Sequence, residues 1–335
     1  MGFVEDTKTY LKMGENMKLI TTQLNALTVA STLVFSLYYT GCAPQTQNTV
    51  STGNEISAQD TSHIVGGVSA TSTFQKQNGI VALAITSQGL FSGGLSICTG
   101  TLIDKRIVLT AAHCLQAEPG SKITKIDVYF IPDIQKSLNS GSLRNSIAAD
   151  KVARNADFLK GVTEESADTA AWNDIALIRL KTNAPSNFKL AQLPKDSNGA
   201  RVLEKNKLIL SGFGIATAIV NKSEVDPKTG ELEVIPVQEK SETSGVLRKI
   251  ENIPVLPQIN DKEILLDQSN STGACHGDSG GPAFLKQADG SLLQVGVTSR
   301  GTNFIGNCNE KAIYTNVASH LAWIDANKTA LLKAR

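Results

Sequence analysis

The 335-residue sequence predicts an all-β fold with a C-terminal α-helix. From Ile64 onward, short apolar runs are separated by turn residues, the pattern of many short strands. Helical periodicity is scarce until the end of the chain. There Val317, Leu321, Ile324 and Leu331 recur at spacings of three, four and seven, which is one face of an amphipathic helix. Successive strands without interleaved helices argue a barrel or sandwich.

The N-terminus reads as a targeting segment. Lys18 precedes a mostly apolar stretch, Leu27 to Tyr39, which is shorter than the roughly 20 residues of a membrane-crossing helix. Tyr39-Thr40-Gly41-Cys42 closes it with small residues before a cysteine. This resembles a bacterial lipoprotein signal and implies lipidation of Cys42. Translation from Met17 would give the more basic start, because residues 1–16 carry Glu5, Asp6 and Glu15. Residues 1–41 are therefore expected to be a signal segment. Ala43 to His63 is rich in Gln, Thr, Ser and Asn, so 42–63 is expected to be a flexible tether or propeptide.

The strands expected after it are Ile80–Ile85, Ile107–Leu109, Ile123–Ile131, Ile175–Leu180, Leu208–Leu210 and Gln294–Ser299. Two long polar stretches interrupt them, Asp133–Ala171 and Val220–Ser244, both expected as surface loops that rim any cleft.

At 41% apolar residues the chain can bury a large core. Its net charge of +1 gives no reason to expect nucleic acid as a partner. Setting Cys42 aside leaves Cys98, Cys114, Cys275 and Cys308, an even number that suits an oxidising compartment. Counting alone allows three pairings. No C-x-x-C pair occurs, so a zinc site is disfavoured and neither a metal nor a cofactor is expected.

The chemistry lies in three segments. Leu109-Thr110-Ala111-Ala112-His113-Cys114 supplies a histidine, Asn173-Asp174-Ile175-Ala176-Leu177 an aspartate, and Gly277-Asp278-Ser279-Gly280-Gly281-Pro282 a serine. A serine hydroxyl is a poor nucleophile unless a base takes its proton, and that base needs an orienting carboxylate. Asp168 is a weaker candidate for the acid, without the Ile-Ala-Leu that follows Asp174. Gly277-x-Ser279-x-Gly281 also fits a nucleophile elbow. That arrangement needs the acid and histidine after the serine, and only His320 follows, inside the helical pattern.

With Ile64-Val65-Gly66-Gly67, Cys98-Thr99-Gly100-Thr101-Leu102-Ile103, Ser211-Gly212-Phe213-Gly214, Ser299-Arg300-Gly301 and Tyr314-Thr315-Asn316-Val317, these segments resemble the chymotrypsin/trypsin family of serine proteases. The resemblance runs from Ile64 to about Ile324. It implies two six-stranded antiparallel β-barrels with the site between them, joined by a crossing segment over Pro185–Lys205, and a peptidase domain over 64–335. It implies a serine endopeptidase, made as a zymogen, exported and monomeric, with protein or peptide substrates, and the lipoprotein-like signal adds a membrane tether through Cys42 before activation. The alternative within the same fold is a catalytically inactive binding protein.

The resemblance also assigns residues. His113, Asp174 and Ser279 would be catalytic, and the amides of Gly277 and Ser279 the oxyanion hole. Asp278 would receive the new ammonium of Ile64 after cleavage. Ser299 would back Asp174, and the Ser299–Gly301 backbone would pair with an extended substrate. Gly273, Ser299, Gly301 and Ala312 would form the primary pocket, which would lack a floor carboxylate unless an acid such as Asp267 reached it. The implied disulfides are Cys98–Cys114 and Cys275–Cys308. Two residues depart from the pattern. His63 stands where trypsin-like precursors carry Arg or Lys, which argues against activation by a trypsin. Arg300 replaces a tryptophan and should alter the subsite next to the pocket.

Overall fold

The structure is a computed structural model. It describes residues 64–334 except 90–92, 164–165, 168, 197–201, 203, 217–220, 226–231, 237–242, 271, 303–307 and 309, with backbone alone for 221–225 and 232–236. All described residues fall in one unit, Ala58–Arg335. The expected signal segment, tether, Cys42, His63 and Asp168 lie outside the described residues.

The first half is a closed six-stranded barrel. Its strands are β2 (Ile80–Gly89), β3 (Gly93–Asp104), β4 (Ile107–Thr110), β5 (Ser121–Tyr129), β6 (Ser146–Arg154) and β7 (Ala176–Leu180), in the order β2-β3-β4-β7-β6-β5. Two short elements precede it, β1 (Val68–Ser69) and helix α1 (Ser72–Gln77). The run Ile80-Val81-Ala82-Leu83-Ala84-Ile85 is buried throughout because both faces of β2 are covered. Val81, Leu83 and Ile85 point into the barrel core. Ile80, Ala82 and Ala84 pack on Ile209, Phe213 and Phe284 of the second half. A strand covered on both sides loses the polar alternation that marks a half-exposed one.

The second half is a seven-stranded antiparallel sheet. It comprises β8 (Lys207–Gly212), β11 (Arg248–Pro254), β12 (Glu263–Asp267), β13 (Pro282–Lys286), β14 (Leu292–Gly301) and β15 (Lys311–Asn316), with β1 added at one edge in the order β1-β11-β8-β13-β14-β15-β12. Its six longer strands curl until Val255 bridges Leu266, where the Leu256 N–H also donates to the Leu265 carbonyl at 2.9 Å. Closure is thus by a short bridge rather than a full ladder. Ile64, Leu208, Leu210, Ile253, Ile264, Leu266, Val295 and Tyr314 fill its core. Each large apolar side chain buried there contributes about 1.5–3 kcal/mol.

Both polar stretches hold more structure than expected. Asp133–Ala171 contains helix α2 (Gln135–Ser140) and all of β6. Val220–Ser244 contains a hairpin of β9 (Asn221–Val225) and β10 (Leu232–Pro236). The described residues of the expected crossing segment bond to both halves. Ala191 N–H donates to Leu102 and Gln294 N–H to Gln192, both at 2.8 Å. Helix α3 (Leu321–Lys333) buries Ile324 and Leu331 against the first barrel. Arg179, 5% exposed, chelates Asp150 at 2.7 and 2.8 Å and donates to the Leu331 and Ala334 carbonyls. A cation there satisfies helix-end carbonyls that would otherwise lack donors.

Candidate active site

The approach of His113 to Asp174 follows from strand pairing. β4 and β7 run antiparallel with Thr110 opposite Ala176. The end of one strand therefore lies beside the start of the other. Ala111 and Ala112 are fully buried, and the chain then turns through a short 3-10 segment, His113–Leu115. The Cys98–Cys114 disulfide ties that turn to β3. Just before Asp174, Asn173 adopts a left-handed backbone with φ of 51°, a conformation asparagine tolerates better than most residues.

Asp174 is fully buried and fully engaged. Its Oδ2 lies 2.6 Å from His113 Nδ1 and accepts the Ser299 hydroxyl at 2.7 Å. Its Oδ1 accepts the His113 backbone N–H at 2.9 Å. Thr315 Oγ1 donates to the Asp174 carbonyl at 2.8 Å. Ser299 reaches the carboxylate because the β14–β15 register shifts between Thr298 and Arg300, a bulge that re-aims one side chain.

Charge balances within this pair. For Asp174, burial raises the carboxyl pKa, but the His113 charge and the donated hydrogen bonds hold it below the usual carboxylate value. For His113, burial lowers the imidazole pKa, yet the Asp174 charge and hydrogen bond outweigh it and the net direction is up. The His113 side chain remains 31% exposed, so its far edge faces the cleft.

Ser279 sits on a loop held from both halves. Buried Thr99 donates its N–H to the Ser279 carbonyl at 2.8 Å and its hydroxyl to the Gly277 carbonyl at 3.0 Å. The same hydroxyl accepts the Phe213 N–H at 3.0 Å. The Cys275–Cys308 disulfide fastens the loop's other side. Gly277 has φ of +95°, and a Cβ there would meet Gly214 Cα at 2.8 Å, so no other residue fits. Ala274, Cys275, Asp278, Gly280 and Gly281 all donate their amides within the fold. The amides of Gly277 and Ser279 have no partner among the described residues.

Asp278 is 1% exposed and accepts the Gly214 N–H at 2.8 Å and the Cys275 N–H at 2.9 Å. Burial pushes its carboxyl up to about 6, against the hydrogen bonds and the Arg248 and His276 charges, which lower it. Ile64 is 1% exposed in the second core, and Val65 bridges Gly273. No hydrogen bond or ion pair joins Ile64 to Asp278 among the described residues.

Two cavities meet at His113, His276 and Ser279. One, of 330 Å³, is lined also by Trp172, Gln268, Ser299, Arg300, Gly301 and Ala312. The other, of 840 Å³, runs along the β2–β3 hairpin past Ile85, Leu95 and Ile97. Pairing of β13 with β14 stops at Pro282 and Val297. Ser299–Gly301 therefore continues beyond it with one edge along the smaller cavity.

Of the residues assigned to the primary pocket, Ser299, Gly301 and Ala312 line that cavity and Gly273 does not. A Cβ on Gly273 would lie 2.2 Å from the Gln268 carboxamide, and its φ is +145°. The Gln268 side chain occupies the place assigned to the glycine. It is 2% exposed, accepts the Ala274 N–H at 2.8 Å and donates to the Ala274 and Cys308 carbonyls at 3.1 and 3.2 Å. Asp267 is not on the cavity; its carboxylate accepts the Ser269 N–H at 2.9 Å. No acidic residue lines the cavity among the described residues.

A family model described as Trypsin matches residues 64–324. The chain belongs to the trypsin family. Phenoloxidase-activating factor 3 of Holotrichia diomphalia is 28% identical over 73% of this chain and 68% of its own length. CLIP domain-containing serine protease B15 of Anopheles gambiae is 25% identical over 68% of this chain and 60% of its own length. A chymotrypsin of Phaedon cochleariae is 26% identical over 69% and 71%. The solved structure of HL collagenase covers 79% of this chain and 99% of its own, with a TM-score of 0.56 at 22% identity, which bears on the fold alone.

Within this trypsin-family frame, sequence reasoning missed Gln268, Glu263 and Trp172. Each has at least one partner far away in the chain, Cys308 for Gln268, Arg300 for Glu263 and both Glu263 and Arg300 for Trp172, and no local pattern marked them.

Proposed function

We propose that this trypsin-family chain is a serine endopeptidase acting through an acyl-enzyme on Ser279. The observation that carries the reading is the 2.6 Å contact of His113 Nδ1 with buried Asp174, beside a cavity that His113 shares with Ser279. Asp174 would hold His113 with Nδ1 protonated and Nε2 free to take the Ser279 proton. The Ser279 oxygen would then attack the substrate carbonyl. The amides of Gly277 and Ser279, without partners among the described residues, would receive the oxyanion, a role worth about 3–4 kcal/mol per donor. His113 would return the proton to the leaving amine, and water would hydrolyse the ester by the reverse route. Active-site titration with a chromogenic ester tests this. A burst of one leaving group per chain supports it, and a folded chain with no burst and no turnover contradicts it.

The smaller cavity suits an uncharged side chain before the scissile bond, because Gln268 closes it with a saturated amide. A peptide-library profile is expected to favour apolar residues there. Dominant cleavage after Lys or Arg would refute the pocket reading. Gly273→Asp should unfold the loop rather than confer basic specificity, since the site has no room for a Cβ.

The same reading makes the intact chain a precursor. The Arg248 and His276 charges offset the burial of Asp278 only in part, and the ammonium created by cleavage before Ile64 would supply a direct partner. In the uncut chain the folded pKa of Asp278 exceeds the usual 3.8. The folded state then holds a proton that the unfolded state releases, so this group's contribution falls as pH rises from about 4 to 6. The deficit above pH 6 is about 3 kcal/mol. Pairing with the ammonium would remove it. Urea unfolding of cut and uncut forms should therefore diverge in favour of the cut form between pH 4.5 and 7, and parallel curves would contradict this pairing.

Export is supported by the two disulfides. A lipid on Cys42 would tether the precursor, and the cut before Ile64 would then also release the enzyme. N-terminal sequencing of active chains in membrane and soluble fractions tests this. Full activity in lipidated, uncut chains would exclude it.

A further inference from the structure

Arg300 lies on β14 beside Ser299, with its side chain only 9% exposed. Its partner is Glu263 at the start of β12, 2% exposed. The pair is two-pronged: Nη1 meets Oε1 at 2.7 Å and Nη2 meets Oε2 at 3.2 Å. Both belong to the second sheet, and apart from the Asn260 amide, which donates to Glu263 Oε2 at 3.0 Å, their other side-chain partners lie in the long 155–173 segment of the first half. Arg300 Nη2 donates to the Ala167 and Ala170 carbonyls at 3.3 and 3.4 Å. Glu263 Oε1 accepts the Trp172 backbone N–H at 3.1 Å. The guanidinium carbon sits 4.2 Å from the Trp172 ring centroid, and the indole N–H donates to Ala167 at 3.0 Å. Trp172, Ala167 and Arg300 all line the smaller cavity.

A buried ion pair is a poor source of stability compared with well-packed apolar residues. What it supplies here is a fixed geometry that depends on the planar guanidinium fork and its stacking face. Trp172 is two residues from Asp174, so the contacts that seat the wall of the cleft also lie next to the acid.

We propose that Arg300 is a positioning residue. Paired with Glu263 and stacked on Trp172, it clamps the 155–173 segment to the second sheet as the upstream wall of the cleft, with its charge cancelled so that the wall receives apolar rather than acidic side chains. This rests on the endopeptidase reading. It inverts what an arginine in a cleft first suggests, because Glu263 already occupies the guanidinium.

Two variants of the full mature chain separate the clamp from the charge. Glu263→Gln keeps the shape and exposes an uncompensated cation. The double variant Glu263→Leu with Arg300→Met removes both charges and leaves none orphaned. Each should speed hydrogen exchange at least 10-fold across 155–173, a readout that needs no turnover. With matched tetrapeptides differing only two to four residues upstream of the cut, wild type should favour leucine over glutamate. E263Q should shift that ratio at least 5-fold toward glutamate, and the double variant should not. Single-residue ester substrates, too short to reach the wall, should show a smaller change in KM for either variant than the tetrapeptides do. Unchanged exchange in both variants overturns the clamp. A wild-type preference for glutamate, or an unshifted ratio in active E263Q, overturns the masked charge. Absence of turnover and of Ser279 labelling in wild type defeats the endopeptidase reading instead, and exchange still decides the clamp.

Discussion

Replacing Ser279 by alanine is expected to lower kcat for peptide-bond hydrolysis by about 10⁶-fold, the scale on which loss of a serine nucleophile acts. The change should leave the fold intact. Ser279 is held through its backbone carbonyl, by Thr99, and its hydroxyl has no hydrogen bond among the described residues. Removing it therefore orphans no buried partner. Melting should be unchanged, substrate should still bind, and the residual rate should reflect only the oxyanion amides and binding. Turnover within tenfold of wild type by the folded variant would mean that the nucleophile lies elsewhere.

Asp174→Asn is the second large effect. The carboxamide is nearly isosteric, but one oxygen becomes a donor group. Asp174 now accepts from His113 Nδ1, the His113 amide and Ser299. An amide in its place must aim N–H at one of these donors or force His113 into the tautomer that leaves Nε2 protonated. The base is then lost, and kcat should fall about 10⁴-fold. The upward push on the His113 pKa disappears while the burial that lowers it remains. NMR titration should thus find the imidazole pKa lower in the variant than in wild type. A rise, or no change, would show that Asp174 does not control the base.

The legible parts of this structure were those whose signals are local. β2 is a continuous apolar run because both its faces are covered. α3 shows its period through Ile324 and Leu331. The segments around His113, Asp174 and Ser279 are short and distinctive. β6 was hidden because small alanines weaken its alternation and exposed polar residues share its faces. β12, with Glu263 and Asp267 at its ends, is too short to stand out among polar neighbours. The second barrel closes through one bridge between Val255 and Leu266, which no periodicity announces. Gln268 was beyond reach for a different reason. Its place in the pocket depends on the carbonyls of Ala274 and Cys308, and Gly273, expected to open the pocket, makes room for it instead. Arg300 was visible as a departure, but its charge partner lies 37 residues earlier in the chain.

The central claim is that Ser279 is an activated nucleophile. The most direct measurement is reaction of the chain cleaved before Ile64 with a fluorophosphonate, followed by mass spectrometry of its peptides. The account predicts one adduct per chain, on the peptide containing Ser279, abolished in Ser279→Ala and strongly slowed in His113→Ala. A folded, correctly cleaved chain that takes up no phosphonate at Ser279, or takes it up equally fast without His113, would contradict it.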